Sequence, residues 1–508
     1  MRYDLIAVAA VALSTSAGQA VPALVPMPRD VKWNGGMVKN PTVTDRRDPS
    51  VPKEGYRLDV AADGIVVTSS DAAGAFYARQ TLRQLAEAKG TITNYPRCTI
   101  SDSPAYPWRG VLIDEGRNFL GKETVKDLLD VMAYHKLNVL HWHLTEDKGW
   151  RIDIPSMPEL ARFGSVRPCS PRRGAVLKTG PNFHYETEKN TERNGPFFYS
   201  RADLEEVIAY AAARHVEVVP EIDLPGHFRA ALAAYPELAC NPEAIVPRMA
   251  HVEWGITTNV LCVGNAESLR FLERVMDYVC EVFPSKVIHV GGDECPHVAW
   301  ERCPKCQALM KREGMTRPAQ LQGWITRKVA EYLAQKGRRI MGWDEILGAG
   351  VPKTAIGQSW REGANEGAAT DYLSAGEGVR RGYDMVVTPH TLTYYSRYAG
   401  LEDDPFCYLG RGSALTLEKA YSFDPMTGID KSGRAHVLGS EACVWGECVW
   451  NECILSWKLW PRGCAMAEIL WTNPAKRDYS EFAARLVVHR KRLAEMHVLS
   501  QPVLHDVF

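Results

Sequence analysis

Two adjacent carboxylates, Asp293 and Glu294, follow a β-branched run and a pair of glycines. The run Val287–Val290 is typical of a buried strand, and the two glycines allow a sharp turn directly before the acids. Barrel enzymes present catalytic groups at the carboxyl ends of their strands, so this stretch predicts an acid–base site. The alternative is a capped turn in which Asp293 begins a helix that contains Trp300.

The segment resembles the His-x-Gly-Gly-Asp-Glu signature of family 20 glycoside hydrolases, the β-N-acetylhexosaminidases. This resemblance implies that Glu294 is the general acid/base. It also implies that Asp293 steadies the substrate's 2-acetamido group, whose carbonyl oxygen is the nucleophile. The spacing agrees, because adjacent strand side chains point to opposite faces and are poorly placed to act as acid and nucleophile on one carbon.

From about Ser103 onward, strand patterns alternate with helix patterns, which predicts a parallel sheet or barrel. The candidate strands are Gly110–Asp114, Asn138–Leu144, Glu217–Ile222, Val287–Val290, Arg338–Gly342, Ala355–Ser359, Asp384–Thr388 and Ala435–Gly439. Eight is the number in a (β/α)8 TIM barrel, so this is the fold that we predict. Long insertions, Arg167–Ser200 and Tyr395–Arg434, follow the second and seventh strands and are expected on the active face.

A small α+β domain is predicted before the barrel, similar to the domain that precedes it in this family. Residues 55–60 and 64–69 alternate as paired strands, and Ala72–Lys89 has helical spacing up to Gly90. The predicted divisions are an export signal at 1–20, the N-terminal domain at 21–104, the catalytic barrel at 105–475 and a C-terminal helical extension at 476–508.

Polar or aromatic clusters follow most of the predicted strands, in the order found in the family. They are His141–Asp147, Pro220–His227, Gly342–Glu345, Gln358–Trp360 and Ala442–Glu447, in addition to the opening segment. The resemblance implies that Arg109 grips sugar hydroxyls O3 and O4, that Glu447 accepts from O4, and that Asp147 and His227 surround the acid. For Arg109 the alternative is a packing salt bridge at the domain junction.

The resemblance also implies an aromatic wall around the acetamido methyl group, formed by Trp343, Trp360 and Trp445. Tyr394 would donate to the acetamido oxygen. For the tryptophans the alternative is barrel core.

The sequence departs from the family pattern just after Tyr394. Many members carry an Asp two residues further on, near the sugar's O6 and O4, whereas this chain has Ser396 followed by Arg397. A hydroxyl and a guanidinium can hydrogen-bond a 6-O-sulfate that a carboxylate would repel, so tolerance of or preference for 6-sulfated GlcNAc is expected. The alternative is that Arg397 turns outward.

Composition excludes some classes of protein. The 508 residues are 45% hydrophobic and 24% charged, which is typical of a globular protein with a large core. A net charge of −1 gives no electrostatic case for binding nucleic acid or membranes, and no apolar run is long enough to span a bilayer. Arg2, the apolar stretch Leu5–Leu13 and the small residues Gly18 and Ala20 predict an export signal, hence a periplasmic or extracellular protein.

Thirteen cysteines, an odd number, leave at least one thiol free in an oxidising compartment. Similar family members carry a disulfide at the place of Cys240 and Cys262, so a bridge is expected there. Cys303-Pro-Lys-Cys306, with Cys295 and His297 nearby, also matches zinc-ligand types. A local disulfide or free thiols remain open for that group, and no metal is included in the predicted site.

The predicted export signal and the family resemblance together imply an exported, exo-acting, retaining β-N-acetylhexosaminidase that needs no cofactor and acts on terminal β-linked GlcNAc or GalNAc. Neither a nucleic-acid nor a membrane partner is expected. One alternative is a glycosidase of the same fold that uses Asp147 or Asp223 as its nucleophile. Another is a glycan-binding homologue that has lost catalysis, against which the intact Asp293, Glu294 and Tyr394 argue.

Overall fold

A computed structural model describes residues 22–167, 195–252, 255–348, 350–362, 372–400 and 414–502, apart from the side chains of Lys89 and Cys448. The predicted export signal lies outside the described residues. So do residues 168–194 and 401–413, which make up much of the two predicted insertions. Among the described helices, none combines the length and the apolar character that a membrane crossing requires.

The described part of the chain begins with a six-stranded sheet covered by one helix. Its elements are β1 (Asp30–Lys39), β2 (Val43–Arg47), β3 (Tyr56–Ala61), β4 (Gly64–Ser69), α1 (Ala72–Leu85), β5 (Glu87–Lys89) and β6 (Ile92–Asp102). The strand order is β1-β6-β3-β4-β2, with β5 added to β6. The predicted β3–β4 hairpin is confirmed. The predicted helix Ala72–Lys89 ends early, because Glu87–Lys89 pairs with Ile92–Asn94 as an edge strand.

Eight parallel strands form a closed barrel after this sheet, as predicted. They are β7 (Trp108–Asp114), β8 (Val139–Glu146), β10 (Glu217–Ile222), β11 (Val287–His289), β12 (Arg339–Trp343), β13 (Ile356–Ser359), β14 (Asp384–Val387) and β15 (Val437–Val444). Pairing of β15 with β7 closes the ring. A short strand, β9 (Gly149–Trp150), extends β8 as an antiparallel pair. The eighth predicted strand was placed too early, since residues 431–436 form a 3₁₀ turn.

Helices surround the barrel and cover its apolar outer face. They are α2 (Lys122–Tyr134), α3 (Arg201–Ala212), α4 (Arg229–Ala234), α5 (Ala266–Val282), α6 (Val298–Arg302), α7 (Pro304–Arg312), α8 (Ala319–Gln335), α9 (Glu345–Gly348), α10 (Ala375–Arg380), α11 (His390–Thr393), α12 (Leu417–Tyr421), α13 (Glu452–Leu459), α14 (Arg462–Trp471) and α15 (Tyr479–Glu495).

Side chains fill the barrel interior in layers. The lower layer is apolar, with Val139, Val219, Val287 and Met341 from successive strands. Polar groups lie above it, and an aromatic cluster around Trp343 closes the upper end. The carboxyl ends of the strands therefore surround the site, as is usual in this fold.

Arg109 lies at the opposite end of the barrel, where the N-terminal sheet contacts it. The side chain is 0% exposed, and its Nη2 is 2.5 Å from Glu54 Oε2. Its Nε and Nη1 donate to the carbonyls of Lys136 and Tyr106 at 2.8 and 2.9 Å, and the guanidinium stacks on Trp471. The prediction that Arg109 binds sugar hydroxyls is therefore wrong, and the alternative of a salt bridge at the domain junction is correct.

Candidate active site

The turn after β11 carries Asp293 and Glu294 in a strained backbone conformation. Gly291 and Gly292 have φ values of +60° and +97°, and Glu294 itself has φ +46°, in the left-handed region that non-glycine residues rarely adopt. A Cβ on Gly291 would lie 1.9 Å from Asp223 Oδ1, so only glycine fits. Helix α6 begins at Val298, which excludes the alternative in which Asp293 caps it.

His227 links the two acids electrostatically. Its Nε2 lies 3.5 Å from Asp293 Oδ2 and 3.7 Å from Glu294 Oε2. Burial alone lowers the pKa of His227, but the charges of Glu146 and Asp293 raise it well above the ordinary value, which favours the imidazolium. For Asp293 the effects are reversed. Burial raises its pKa, but the charge and hydrogen bond of His227 bring that pKa below its ordinary value. Asp293 is therefore held as a carboxylate, 14% exposed, beside the 37% exposed Glu294.

Arg117 is a charged residue of the site that sequence reasoning missed. It follows β7, with Nη1 2.7 Å from Asp114 Oδ2 and Nη2 2.9 Å from Glu146 Oε1. Its Nε lies 3.5 Å from Glu447 Oε2, and the guanidinium stands 5.0 Å from the centre of the Trp445 ring. The available signal was its position after the carboxyl end of the first barrel strand, where the other site residues also lie.

A second chain of contacts connects Arg117 to the acids. Glu146 Oε1 is 2.9 Å from Arg117 Nη2 and 3.1 Å from His227 Nδ1. Glu146 is fully buried, so its charge acts on both partners with little screening by water. The buried Glu146 carboxylate thus favours the charged forms of both Arg117 and His227.

Asp147 and Asp223, the two alternative nucleophiles, are buried and accept hydrogen bonds from neighbouring groups. Asp147 Oδ1 accepts from the Arg229 amide at 2.9 Å and from the Thr257 hydroxyl at 3.2 Å. Asp223 Oδ1 accepts from the Gly292 amide at 3.0 Å. Burial, together with the charge of Asp293, raises the pKa of Asp223 well above its ordinary range, which disfavours the ionised form that a nucleophile requires.

Trp343, Trp360 and Trp445 lie in one cluster with Tyr394, and these four residues are called the aromatic wall below. Ring centres of Trp343 and Trp445 are 5.6 Å apart, those of Tyr394 and Trp445 are also 5.6 Å apart, and Trp360 stacks on Tyr394 at 6.4 Å. Trp343 is buried and the other three are half-buried, so the wall faces an opening. Burial is the main cause that raises the pKa of Tyr394 well above its ordinary value, so its hydroxyl keeps its proton.

Glu345 is a second residue that sequence reasoning did not place in the site. It begins α9, accepts from the Glu294 amide at 3.3 Å through Oε1 and accepts from Trp360 Nε1 at 3.2 Å through Oε2. Arg361 pairs with the same carboxylate. Burial first, and then the charges of Asp344 and Asp293, raise the pKa of Glu345 well above its ordinary value. It ties the acid turn to the aromatic wall.

A buried carboxylate, Glu221, supports the floor of the site. Its oxygens contact His289 Nδ1 at 3.0 Å, His143 Nδ1 at 2.6 Å and His141 Nε2 at 3.0 Å. Trp343 Nε1 also donates to it at 3.0 Å. The wall and the acid-bearing strand therefore share one polar anchor.

The three remaining predicted residues differ in exposure. Glu447 is 24% exposed beside Arg117, and Ser396 is buried two residues after Tyr394. Arg397 is half-buried, and burial lowers the pKa of its guanidinium.

The cysteine predictions differ from the structure. Cys240 and Cys262 are both free, so the expected bridge does not form. Cys295 and His297 do not join the Cys303–Cys306 pair: Cys295 packs against Gly226, and His297 Nε2 lies 3.4 Å from Gln322 Oε1.

Comparison with known proteins identifies similar chains. The family model described as "Glycosyl hydrolase family 20, catalytic domain" matches residues 106–474, and that described as "Glycosyl hydrolase family 20, domain 2" matches residues 29–103. A beta-hexosaminidase of Porphyromonas gingivalis is 35% identical over 86% of this chain and 54% of its own length. One from Vibrio furnissii is 34% identical over 86% of this chain and 68% of its own. The chain thus spans about half the length of the first of these relatives.

A solved structure shares the fold. The exo beta-N-acetylglucosaminidase from Vibrio harveyi, crystallised with N-acetylglucosamine, superposes with a TM-score of 0.81 at 27% identity. The alignment covers 95% of this chain and 78% of that one.

Proposed function

Because the chain belongs to glycosyl hydrolase family 20, we propose that it is an exo-acting β-N-acetylhexosaminidase that releases terminal β-linked GlcNAc or GalNAc with retention. The proposal rests mainly on Asp293 and Glu294, which are accessible beside one aromatic wall, whereas Asp147 and Asp223 are buried and hydrogen-bonded. Neither Asp147 nor Asp223 is therefore an accessible nucleophile. The substrate's own acetamido oxygen takes that role.

In the first step Glu294 donates its proton to the glycosidic oxygen as the bond from C1 to that oxygen breaks. The acetamido carbonyl oxygen attacks C1 from the opposite face, so a bicyclic oxazolinium forms and the aglycone leaves as an alcohol. Asp293 accepts a hydrogen bond from the acetamido N–H, which gains positive charge during this step. Its pKa, lowered by His227, keeps it ionised for this purpose.

In the second step the Glu294 carboxylate removes a proton from water, and the water oxygen attacks C1. The bond from C1 to the acetamido oxygen breaks, which restores the acetamide and gives the sugar with its original β configuration. Two inversions at C1 account for the retention.

The aromatic wall orients the nucleophile. Trp343, Trp360 and Trp445 would surround the acetamido methyl group, exclude water and press the carbonyl oxygen toward C1, which is an effective-molarity contribution. Tyr394, whose hydroxyl stays protonated, would donate to that oxygen.

Arg117, rather than the Arg109 expected from the sequence, would bind the O3 and O4 hydroxyls of the sugar. Its guanidinium and the Glu447 carboxylate are neighbours at the rim, 3.5 Å apart between Nε and Oε2. A donor and an acceptor at that separation suit the O3 and O4 hydroxyls of a terminal sugar, and a sugar bound through O4 cannot carry a further residue there.

Two comparisons test the mechanism. An aryl β-GlcNAc should be cleaved far faster than the matching aryl β-glucoside, because glucose lacks the nucleophile. A thiazoline that mimics the cyclised intermediate should bind much more tightly than GlcNAc, as transition-state-like ligands do. Comparable cleavage of the glucoside, or a covalently glycosylated peptide from Asp293→Asn enzyme, would overturn substrate assistance.

We also propose that the enzyme accepts 6-sulfated GlcNAc. Ser396 stands where many family members carry a carboxylate, and the half-buried Arg397 follows it. The test compares kcat/KM for aryl GlcNAc and its 6-sulfate in the wild type and in the Ser396→Asp/Arg397→Ala variant. Rejection of the sulfated sugar by the wild type, or unchanged handling by the variant, would contradict it.

Export through the signal at residues 1–20 is part of the proposal and rests on sequence alone. N-terminal sequencing of the secreted protein should begin close after Ala20. A full-length cytoplasmic product would contradict it.

A further inference from the structure

Four cysteine sulfurs converge beneath the segment that follows Glu294. Cys303 and Cys306 flank the start of α7, whereas Cys240 and Cys262 come from the chain between α4 and α5. All four sulfur atoms lie within 4.8 Å of one another. Three of these residues are buried and Cys240 is half-buried.

The sulfur–sulfur distances do not correspond to disulfides. Cys240 to Cys306 is 3.8 Å, Cys306 to Cys262 is 3.8 Å and Cys262 to Cys303 is 3.6 Å, whereas a disulfide needs about 2.0 Å. Cys262 and Cys306 each lie within 3.8 Å of at least two other sulfurs, so the group is not a set of two isolated pairs.

The distances match a tetrahedral metal site. Zinc binds thiolates at about 2.3 Å, which places the sulfurs of a tetrahedron about 3.8 Å apart. Cys303-Pro-Lys-Cys306 has the two-residue spacing of structural zinc sites. A metal of this kind needs all four positions filled by protein, and this cluster fills them.

The surroundings suit a negatively charged cluster. The backbone of Gly264 hydrogen-bonds Cys306, and the charge of Lys305 acts on Cys262. A Cβ on Gly264 would lie 2.2 Å from the Lys305 carbonyl carbon, so only glycine permits this approach. An amide donor and a nearby cation offset part of the excess charge of four thiolates.

We propose that Cys240, Cys262, Cys303 and Cys306 bind one structural zinc ion, with each thiol losing its proton on binding. Two segments of the chain, one after His227 and one after Glu294, are thereby held together. The first contains Leu261, whose amide donates to the Pro225 carbonyl, two residues before His227, at 3.0 Å. The second contains Trp300, six residues after Glu294, whose Nε1 donates to the Leu261 carbonyl at 2.9 Å. The metal site does not depend on the proposed hydrolase activity.

The test begins with the full-length wild type, purified without chelators and dialysed against metal-free buffer. Elemental analysis should find one zinc per chain, and a mercurial reagent should release it as the thiols react. Replacement by Co²⁺ should give the sulfur-to-metal charge-transfer bands of a tetrahedral thiolate site. Cys303→Ser/Cys306→Ser should lose the metal, whereas Cys453→Ser, at an exposed cysteine on α13, should keep it.

Metal-free wild type after incubation with zinc, or peptide maps that place these four cysteines in disulfides, would overturn the proposal. The zinc content and the peptide map are both measured on the wild type. They therefore test the proposal even when the Cys303→Ser/Cys306→Ser variant fails to fold. Zinc removal should also speed hydrogen exchange across residues 295–302. Unchanged exchange there would contradict the fastening role, whatever the activity on glycans.

Discussion

Arg109 and Arg117 provide a matched test of which end of the barrel binds sugar. Arg109→Met keeps an unbranched apolar stem but removes the donors to Lys136, Tyr106 and Glu54. Two buried carbonyls then lose a partner, at about 1–3 kcal/mol each. The Glu54 side chain is 14% exposed, so water can partly solvate its carboxylate once Arg109 is lost. Since breaking a buried ion pair costs about 3–5 kcal/mol, we expect the free energy of unfolding to fall by that amount.

Urea unfolding followed by tryptophan fluorescence measures this loss, and steady-state kinetics on the folded fraction measures sugar binding. Arg109→Met should leave KM and kcat close to the wild-type values. Arg117→Met should lose charged hydrogen bonds to the sugar worth about 1.5–3 kcal/mol, which corresponds to about a 10- to 150-fold fall in kcat/KM.

The reasoning fails if Arg109→Met raises KM strongly while stability is unchanged, because Arg109 would then contact substrate. Glu54→Gln is the control at the domain junction. It should weaken stability in the same direction without a kinetic effect, since Glu54 lies at the junction with Arg109.

Three further changes probe the acid turn. Glu294→Gln should lose about 10²–10⁴-fold in turnover on poor leaving groups and less on activated aryl sugars; equal, small losses on both would remove Glu294 from the acid role. His227→Gln removes the charge that lowers the pKa of Asp293, so burial dominates, that pKa rises, and the acidic limb of the kcat/KM profile should move to higher pH; an unmoved limb would contradict this. Gly291→Ala should abolish turnover, because its Cβ would meet Asp223 at 1.9 Å, and near-normal activity would refute the constraint.

The barrel strands were predictable because parallel strands are buried on both faces and read as short apolar runs. Glu217–Ile222 agrees with β10 at both ends. The eighth strand was misplaced because β15 contains polar residues that face buried partners. Glu441 contacts His141 at 2.9 Å, and Ser440 donates to the Val387 carbonyl at 2.6 Å. Polar residues in a strand hide it from a search for apolar runs.

Site residues were predictable where they end a strand, as Trp343 does, or follow its carboxyl end, as Asp293 does. Arg109 failed because it stands near the start of β7, whereas Arg117 follows its end. The resemblance alone did not distinguish a sugar-binding arginine from a packed one, whereas the end of the strand at which each arginine lies does.

The cysteine partners were not predictable from local spacing. Cys303 meets Cys262 from 41 residues away, and Cys306 meets Cys240 from 66 residues away. Cys295 and His297 are nearer in sequence, but the turn after Glu294 directs them elsewhere. Only the fold brings the four thiols together.

The central claim is that the substrate's acetamido oxygen, and no protein carboxylate, attacks C1 beside Asp293 and Glu294. The most direct measurement is kcat/KM for aryl β-GlcNAc whose acetyl group carries none, one, two or three fluorines. Fluorine withdraws electrons from the carbonyl oxygen and changes the size of the group little. The account predicts that kcat/KM falls steeply with each added fluorine. A series that shows no dependence on fluorination would contradict it.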